Sequence, residues 1–524
     1  MNTFADEFNK KENMTYTANH CLTNKSSFNK NLDFFAQASA MRGMDSDVVD
    51  LFRMCYNEDA NLAIKNLFYL RDVRGGAGER DLFRSCLRYL TNRVSIGVFA
   101  KIVSYIPEYG RWDDLLDVLK YMHETQEAEI LKCKHSKTKP TVNYKGMINV
   151  CLKLIFQQIK DDIKNCTDNK NISLLTKWFP IANNRHTPEG KMFAKWLCKQ
   201  FFGNEADCRK VIVTLRKHAQ VLEQKLSANE WDKVDYSKIP SCANLKYRRA
   251  FNRHDGERYA QYIKDATVGK VNMNSGTLYP YQIVKGIVDQ WYGTRSTPSC
   301  INDPQIVQPL EAMWKNLPNY ISHDSSAIAV IDTSGSMTWG NQNKTLPIEV
   351  AMSLGIYFAE RNTGTFKDMF FTFSGEPKCI KLQGETLAKK ISSIDMSNAG
   401  FNTDIYKTFK LYLDLAKKSK PEDCPKNVII ISDMEFDEAS CSENTAFEEI
   451  DKMFSEAGIE RPNLIFWNVN ASGHNIPVRY DEYGTAMISG SSPSAFKFVT
   501  ERKTPIEMML EVLNSDRYKN IEIY

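Results

Sequence analysis

The spacing of apolar residues changes once along the chain. From about Asn31 to Leu226 they recur every three to four positions, as in AIKNLFYLRDV (63–73), RDLFRSCLRYL (80–90), WDDLLDVLKYM (112–122) and MINVCLKLIFQQI (147–159). Such segments, separated by RGGAGE, IPEYGR and FPIANN, predict helices that each bury one face on a neighbour. No strict repeat is visible, so a stacked helical array here is irregular. Residues 227–320 are richer in proline, with a helical segment at YPYQIVKGIVDQWYG (279–293). The stretch PSCINDPQIVQP (298–309) reads as the passage between two bodies.

After residue 325 short β-rich runs appear: SAIAVI (326–331), DMFFTFS (368–374), NVIIIS (427–432), NLIFWNV (463–469) and TAMIS (485–489). Helical patterns lie between and after them at 346–360, 403–417, 445–458 and 494–502. This alternation predicts an open, doubly wound, mostly parallel sheet with helices on both faces. The expected fold class is therefore α plus α/β, with a helical body over 1–320 and an α/β body over 321–524. In open α/β sheets a ligand sits at the carboxyl ends of the strands.

Charge supports the same division. Residues 1–320 hold 47 Lys and Arg against 35 Asp and Glu, whereas residues 321–524 hold 21 against 29. A basic body can attract phosphate, and an acidic one suits a cation. The 524 residues are 42% hydrophobic and 25% charged, ordinary for a globular chain, and no apolar run is long enough to span a bilayer. The polar start MNTFADEFNKKENMTY is neither a signal nor a transit peptide. The 13 cysteines, among them Cys55, Cys86, Cys151, Cys198 and Cys379, are scattered singly with no CxxC. That usage fits buried small residues in a reducing, cytoplasmic setting.

One stretch carries chemistry. AIAVIDTSGSM (327–337) ends an apolar run at Asp332 and follows it with hydroxyls. An aspartyl protease needs glycine two positions after its aspartate, where Ser334 stands here, and an all-β lobe. A serine nucleophile needs Gly-x-Ser-x-Gly and a histidine, and this body offers only His323 and His474. A hard dication fits better, because it takes oxygen donors and keeps several waters. Asp332, Ser334 and Ser336 alternate in the first strand-end loop. Thr403 precedes a helix, and Asp433 ends NVIIIS. The bland alternative is a set of polar residues that merely cap helices. No matched acid–base pair, activated nucleophile or cofactor loop is visible, so an enzyme is not expected.

Asp332-x-Ser334-x-Ser336, Thr403 and Asp433 resemble the metal-ion-dependent adhesion site of von Willebrand factor A domains, over about 325–520. The approach Phe401-Asn402 departs from the usual glycine-rich one. The resemblance implies Mg²⁺ or another divalent cation, and a partner that offers an acidic residue to it. A helical array followed by an A domain is similar to the Ro ribonucleoprotein (TROVE) architecture. DVRGGAGERDLFR (72–84), IPEYGRWDDLL (106–116), KWFPIAN (177–183), PSCANLKYRRAFNRHDGERYAQYI (240–263) and GTLYPYQIVKG (276–286) resemble a sister family of plants and large DNA viruses still more closely. The TROVE likeness implies a ring of HEAT-like helical repeats closed by the A domain, and binding of misfolded or small structured RNA.

The residues lend that function partial support. LKYRRAFNRH (245–254) sets Lys246, Arg248, Arg249, Arg253 and His254 around Tyr247 and Phe251. Cations for phosphate beside rings for bases suit single-stranded RNA, although a solvated helix face with core aromatics has the same pattern. Arg74 and Arg80 around RGGAGER, and Lys177, Arg185 and His186 around FPIANN, are further RNA candidates. RGGAGER is no P-loop, since no Gly-Lys-Ser/Thr follows it. The alternative to an RNA-binding ribonucleoprotein component is a metal-dependent protein-interaction scaffold.

Overall fold

The computed structural model describes residues 3–182, 187–291, 297–322, 326–338, 345–373, 376–396, 403–437, 444–471, 473, 475–499 and 502–524. Its contacts divide the chain into two bodies, Met1–Leu82 with Tyr236–Asn520, and Phe83–Asp235 with Ile521–Tyr524. The protein is helix-rich and contains one mostly parallel six-stranded sheet.

The first body opens with a hairpin of β1 (Met14–Tyr16) and β2 (Leu22–Asn24), and later carries a two-stranded ribbon of β3 (Val288–Gln290) and β4 (Ser299–Cys300). Its main sheet is made of β5 (Ala327–Asp332), β6 (Met369–Phe373), β7 (Lys378–Lys381), β8 (Asn427–Ser432), β9 (Asn463–Asn468) and β10 (Thr485–Ser489). The order is β10-β9-β8-β5-β6-β7, parallel throughout except for the antiparallel edge strand β7. The near-continuous apolar runs of β5 and β8 are buried at every position, as strands covered on both faces must be. From β5 the chain steps first to β6, then returns to β8 on the other side. The crevice between β5 and β8 is therefore the topological switch point of the sheet.

Helices from distant parts of the sequence cover this sheet. Pro347–Arg361 packs on β5, β6 and β8, and Ile405–Ala416 on β6. Lys30–Gln37 and Pro505–Leu513 both pack on β10. The Ser489 hydroxyl lies 2.6 Å from that of Ser39 and 2.9 Å from the carbonyl of Phe35. The expected passage at 298–309 is in part the start of a helix, Pro304–Lys315, which buries Leu310, Met313 and Trp314. Trp314 Nε1 donates to Glu360 at 2.9 Å, so this stretch belongs to the packed core, and the charge division near residue 320 is not a division of contacts. The helix expected over 279–293 stops at Val284 and gives way to β3.

The second body is helical. It includes Ile96–Ser104, Trp112–Ser136, Lys145–Thr167, Pro188–Phe202 and Glu205–His218. Arg84 reaches Asp113 and Asp114, each at 2.8 Å, and Arg88 reaches Asp117 at 2.7 Å, so these arginines tie helices together. Cys198 and Cys208, expected as single thiols, pair as a disulfide between Pro188–Phe202 and Glu205–His218. Among the described residues no helix is long and apolar enough to cross a membrane.

Close approach of helix to sheet sets a stability test. A Cβ built on Gly355 would lie 1.9 Å from Cδ1 of Ile331, near the carboxyl end of β5. Gly355→Ala is expected to cost about 1–3 kcal/mol by overpacking. Combining it with Ile331→Val should recover part of that loss, read as the thermal unfolding midpoint.

Candidate functional site

Register places the acidic residues. β5 and β8 pair in parallel with Ile331 opposite Ile431, so Asp332 comes level with Ser432 and Asp433 follows one residue beyond. The Ser432 hydroxyl donates to Asp332 Oδ2 at 2.6 Å, and the Ser334 amide donates to Asp332 Oδ1 at 2.9 Å. The Ser334 and Ser336 hydroxyls lie 3.1 Å apart. Asp433 Oδ1 accepts from the Glu435 amide at 3.2 Å, whereas its buried Oδ2 has no hydrogen-bond partner.

Electrostatics make this arrangement costly. Burial, reinforced by the charge of Asp433, pushes Asp332 up to about 7. Burial also raises Asp433, partly offset by the nearby hydroxyls of Ser336 and Ser432, neither of which meets hydrogen-bond geometry with its oxygens. Among the described residues neither carboxylate forms an ion pair with a basic side chain. Two buried carboxylates with an orphaned oxygen call for a proton or a cation. The donors on hand are carboxylate and hydroxyl oxygens, the set that suits a hard dication with retained waters. Among the described residues no group of three or more His, Cys, Asp or Glu gathers as a metal cluster.

Thr403 is fully buried against the segment after Asp433. Its amide donates to Asp437 Oδ2 at 2.6 Å, and its carbonyl accepts from the Asp437 amide at 3.1 Å. It makes no hydrogen bond to Asp332 or Asp433. Phe401 and Asn402 lie outside the described residues. Sequence reasoning missed Ser432, Glu435, Asp437 and Asn19. The run Asp433-x-Glu435-x-Asp437 was the available signal for two of them, because three acidic residues crowd into five positions just past a strand end. Glu435 is buried and raised by burial, and it accepts from the Ala18 amide at 2.6 Å and from Asn475 at 2.8 Å.

The RNA candidates separate. On the helix Ser241–His254 of the first body, Lys246, Arg249 and Arg253 are exposed and fall on one face at i, i+3 and i+7. Lys246 lies 5.0 Å from the ring of half-buried Tyr247, and His254 is exposed. Arg248 instead turns inward. It caps the Leu245 carbonyl, burial lowers its pKa, and its Nε has no hydrogen-bond partner. Arg74 is exposed, and Arg80 is exposed but paired with Asp81 at 3.0 Å. In the second body Lys177 pairs with Glu223 at 3.2 Å and covers Trp178. Arg185 and His186 lie outside the described residues. The glycines of RGGAGER shape a turn. Gly78 has φ of +76°, and a Cβ there would strike the Tyr279 hydroxyl.

These features define a chain that joins a basic, helix-rich sequence to an α/β sheet with an acidic switch point. It belongs to the family described as "Domain of unknown function (DUF2828)", matched over residues 17–151 and 122–326, and residues 326–520 match "Domain of unknown function (DUF7788)". "Uncharacterized protein L728" of Acanthamoeba polyphaga mimivirus is 27% identical over 529 residues, covering 96% of this chain and 87% of the relative. The crystal structure of the Deinococcus radiodurans Ro (RSR) protein aligns over 94% of this chain and 93% of its own, at 13% identity and a TM-score of 0.34, too slight a likeness to carry an argument.

The raised carboxylates make stability depend on pH. A folded-state value above the unfolded one means the folded form takes up a proton, so stability falls as pH rises from about 4 towards 7. In EDTA the unfolding midpoint is expected to drop between about pH 5 and pH 7.5. Asp433→Asn should flatten that drop, because it removes the charge facing Asp332. An unchanged profile in the variant refutes the coupling.

Proposed function

We propose that residues 326–520 form a von Willebrand factor A-type binding domain for a divalent cation, and that the chain is an RNA-binding protein. The observation that supports the cation is the orphaned Oδ2 of Asp433, buried beside a second carboxylate. Asp332, Ser334, Ser336 and Asp433 would hold Mg²⁺, with Thr403 approaching from its own loop. A bound dication supplies an open coordination position for an acidic side chain of a protein partner. The role assigned to the site is binding rather than catalysis. The five residues fix a cation and aim it, and none of them is assigned a proton to transfer.

The RNA reading rests on the exposed stripe of Lys246, Arg249 and Arg253 beside Tyr247. Cations at helical spacing follow a phosphate backbone, and a neighbouring ring can stack a base. Arg248, turned inward, has no part in it. Filter binding of a single-stranded RNA across salt concentrations tests this. The triple variant Lys246→Ala, Arg249→Ala, Arg253→Ala should weaken binding and make the log–log salt slope shallower by about 2. Wild-type affinity that ignores salt removes the RNA reading.

The second reading, a cation-dependent protein scaffold without RNA, is favoured by the same pair of carboxylates. It predicts partner capture that is sensitive to EDTA, insensitive to nuclease and lost in Asp332→Ala. Capture that survives Asp332→Ala excludes a recruiting role for the site.

A further inference from the structure

The second body carries a run of charge that neither site above uses. Between Ile130 and Lys160 stand seven lysines and His135, with no aspartate or glutamate. Five of the lysines, Lys132, Lys134, Lys137, Lys139 and Lys145, gather where the helix Trp112–Ser136 ends and Lys145–Thr167 begins. The loop between them folds back on the first helix. The Thr141 hydroxyl donates to Glu129 Oε1 at 2.8 Å, and the Tyr144 amide donates to Gln126 Oε1 at 2.9 Å.

All five lysines are exposed, and among the described residues none of their ammonium groups forms an ion pair. The arginines of the same body differ, since Arg84, Arg88 and Arg111 each reach an aspartate within 2.8 Å. Helix stability explains only part of the run. A cation in the last turn of a helix answers its dipole, which covers Lys134 and His135. Lys145 stands in the first turn of the next helix, which has no acidic residue and where a cation is disfavoured. Lys137 has φ of +54° and ψ of +32°, the left-handed helix-ending conformation that glycine or asparagine fits best. Two of the lysines thus sit where the fold alone would favour another residue.

What these charges can take is set by their surroundings. No arginine stands in the run, and its one tyrosine, Tyr144, is 4% exposed, so it offers neither a forked grip nor a stacking ring. From 130 to 147 Leu131 alone exposes a large apolar side chain. That is too little for the apolar centre of a protein interface or for insertion into a bilayer. Point charges without rings or apolar anchors suit the phosphates of a nucleic-acid backbone, contacted without reading bases.

We propose that Lys132, Lys134, Lys137, Lys139 and Lys145 form a second, sequence-independent contact for RNA phosphates, on the helical body. The choice of RNA among polyanions rests on the RNA reading above, whereas the unpaired charge stands on its own. The stripe of Lys246, Arg249 and Arg253 has a ring beside it and can engage a base. The lysine patch adds affinity alone.

Filter binding of the full chain to single-stranded oligouridine and oligoadenine, over a series of salt concentrations, tests it. The variant Lys132→Gln, Lys134→Gln, Lys137→Asn, Lys139→Gln removes four exposed charges and gives position 137 a residue suited to its backbone. It should unfold near the wild-type temperature and bind both RNAs about tenfold or more weakly at low salt, with a log–log salt slope shallower by about 3. Lys137→Asn with Lys139→Gln, both outside the helices, should give about half of that change in slope. Replacing the same four lysines by arginine should keep wild-type binding. Wild-type affinity and slope in the four-residue neutral variant overturn the proposal, and so does a loss confined to one of the two RNAs. If the stripe's triple variant loses affinity in the same assay, the RNA reading survives that failure. Vesicles containing phosphatidylserine that retain the wild type but not the variant, with RNA binding unchanged, assign the patch to a membrane and overturn the proposal. A wild type that binds neither RNA removes this inference and the RNA reading together.

Discussion

Two carboxylates brought to the dry end of a sheet by adjacent parallel strands set the terms for the first body. The register of β5 on β8 allows no other placement: once Ile331 faces Ile431, Asp332 meets Ser432 and Asp433 comes next. Burial raises both, and the charge of Asp433 raises Asp332 further. Amides of Ser334 and Glu435 and the hydroxyl of Ser432 answer part of this demand, yet Asp433 Oδ2 stays unanswered. A fold that aimed only at stability would place an apolar residue there, because replacing buried ionic groups by packed apolar ones is often neutral or favourable. The proposed cation would account for both carboxylates being kept.

Much of this was legible in the sequence because the strands are. AIAVID and NVIIIS are short apolar runs that each end in a polar residue, and a run of that length bounded by turn residues has few other readings. Edge elements were harder. β7, Lys-Cys-Ile-Lys, buries only Ile380 and carries almost no apolar signal. The helix Pro304–Lys315 was hidden by Pro304 and Pro309. Proline is tolerated in the first turn, and what holds the rest is burial of Trp314, a tertiary effect that local pattern does not carry.

The basic candidates divide along the same line. Composition counted Arg248 with Arg249, but a helix separates neighbours by about 100°, so one can face the core while the next faces water. Arg84 and Arg88 spend their charge on Asp113, Asp114 and Asp117. An excess of cations in a sequence is therefore an upper bound on the charge a surface can offer. Lys246, Arg249 and Arg253 are exposed together on one face, and spacing alone would have selected them had the helix phase been applied to each residue.

Asn19 had no such signal. It lies 384 residues from Thr403 in sequence, in a segment with neither periodicity nor charge to mark it. Only folding brings the N-terminal hairpin to the acidic loop, and the contact is made largely by backbone carbonyls and amides, groups every residue possesses. This has a physical consequence for the two proposed binding functions. Phosphate contacts on an exposed helix are screened by salt, whereas oxygen donors buried at a strand end are screened far less. On the proposed reading the first body would hold two sites with opposite sensitivities, one set by ionic strength and the other by proton and cation activity. A change in one solution variable can alter either site while leaving the other nearly untouched.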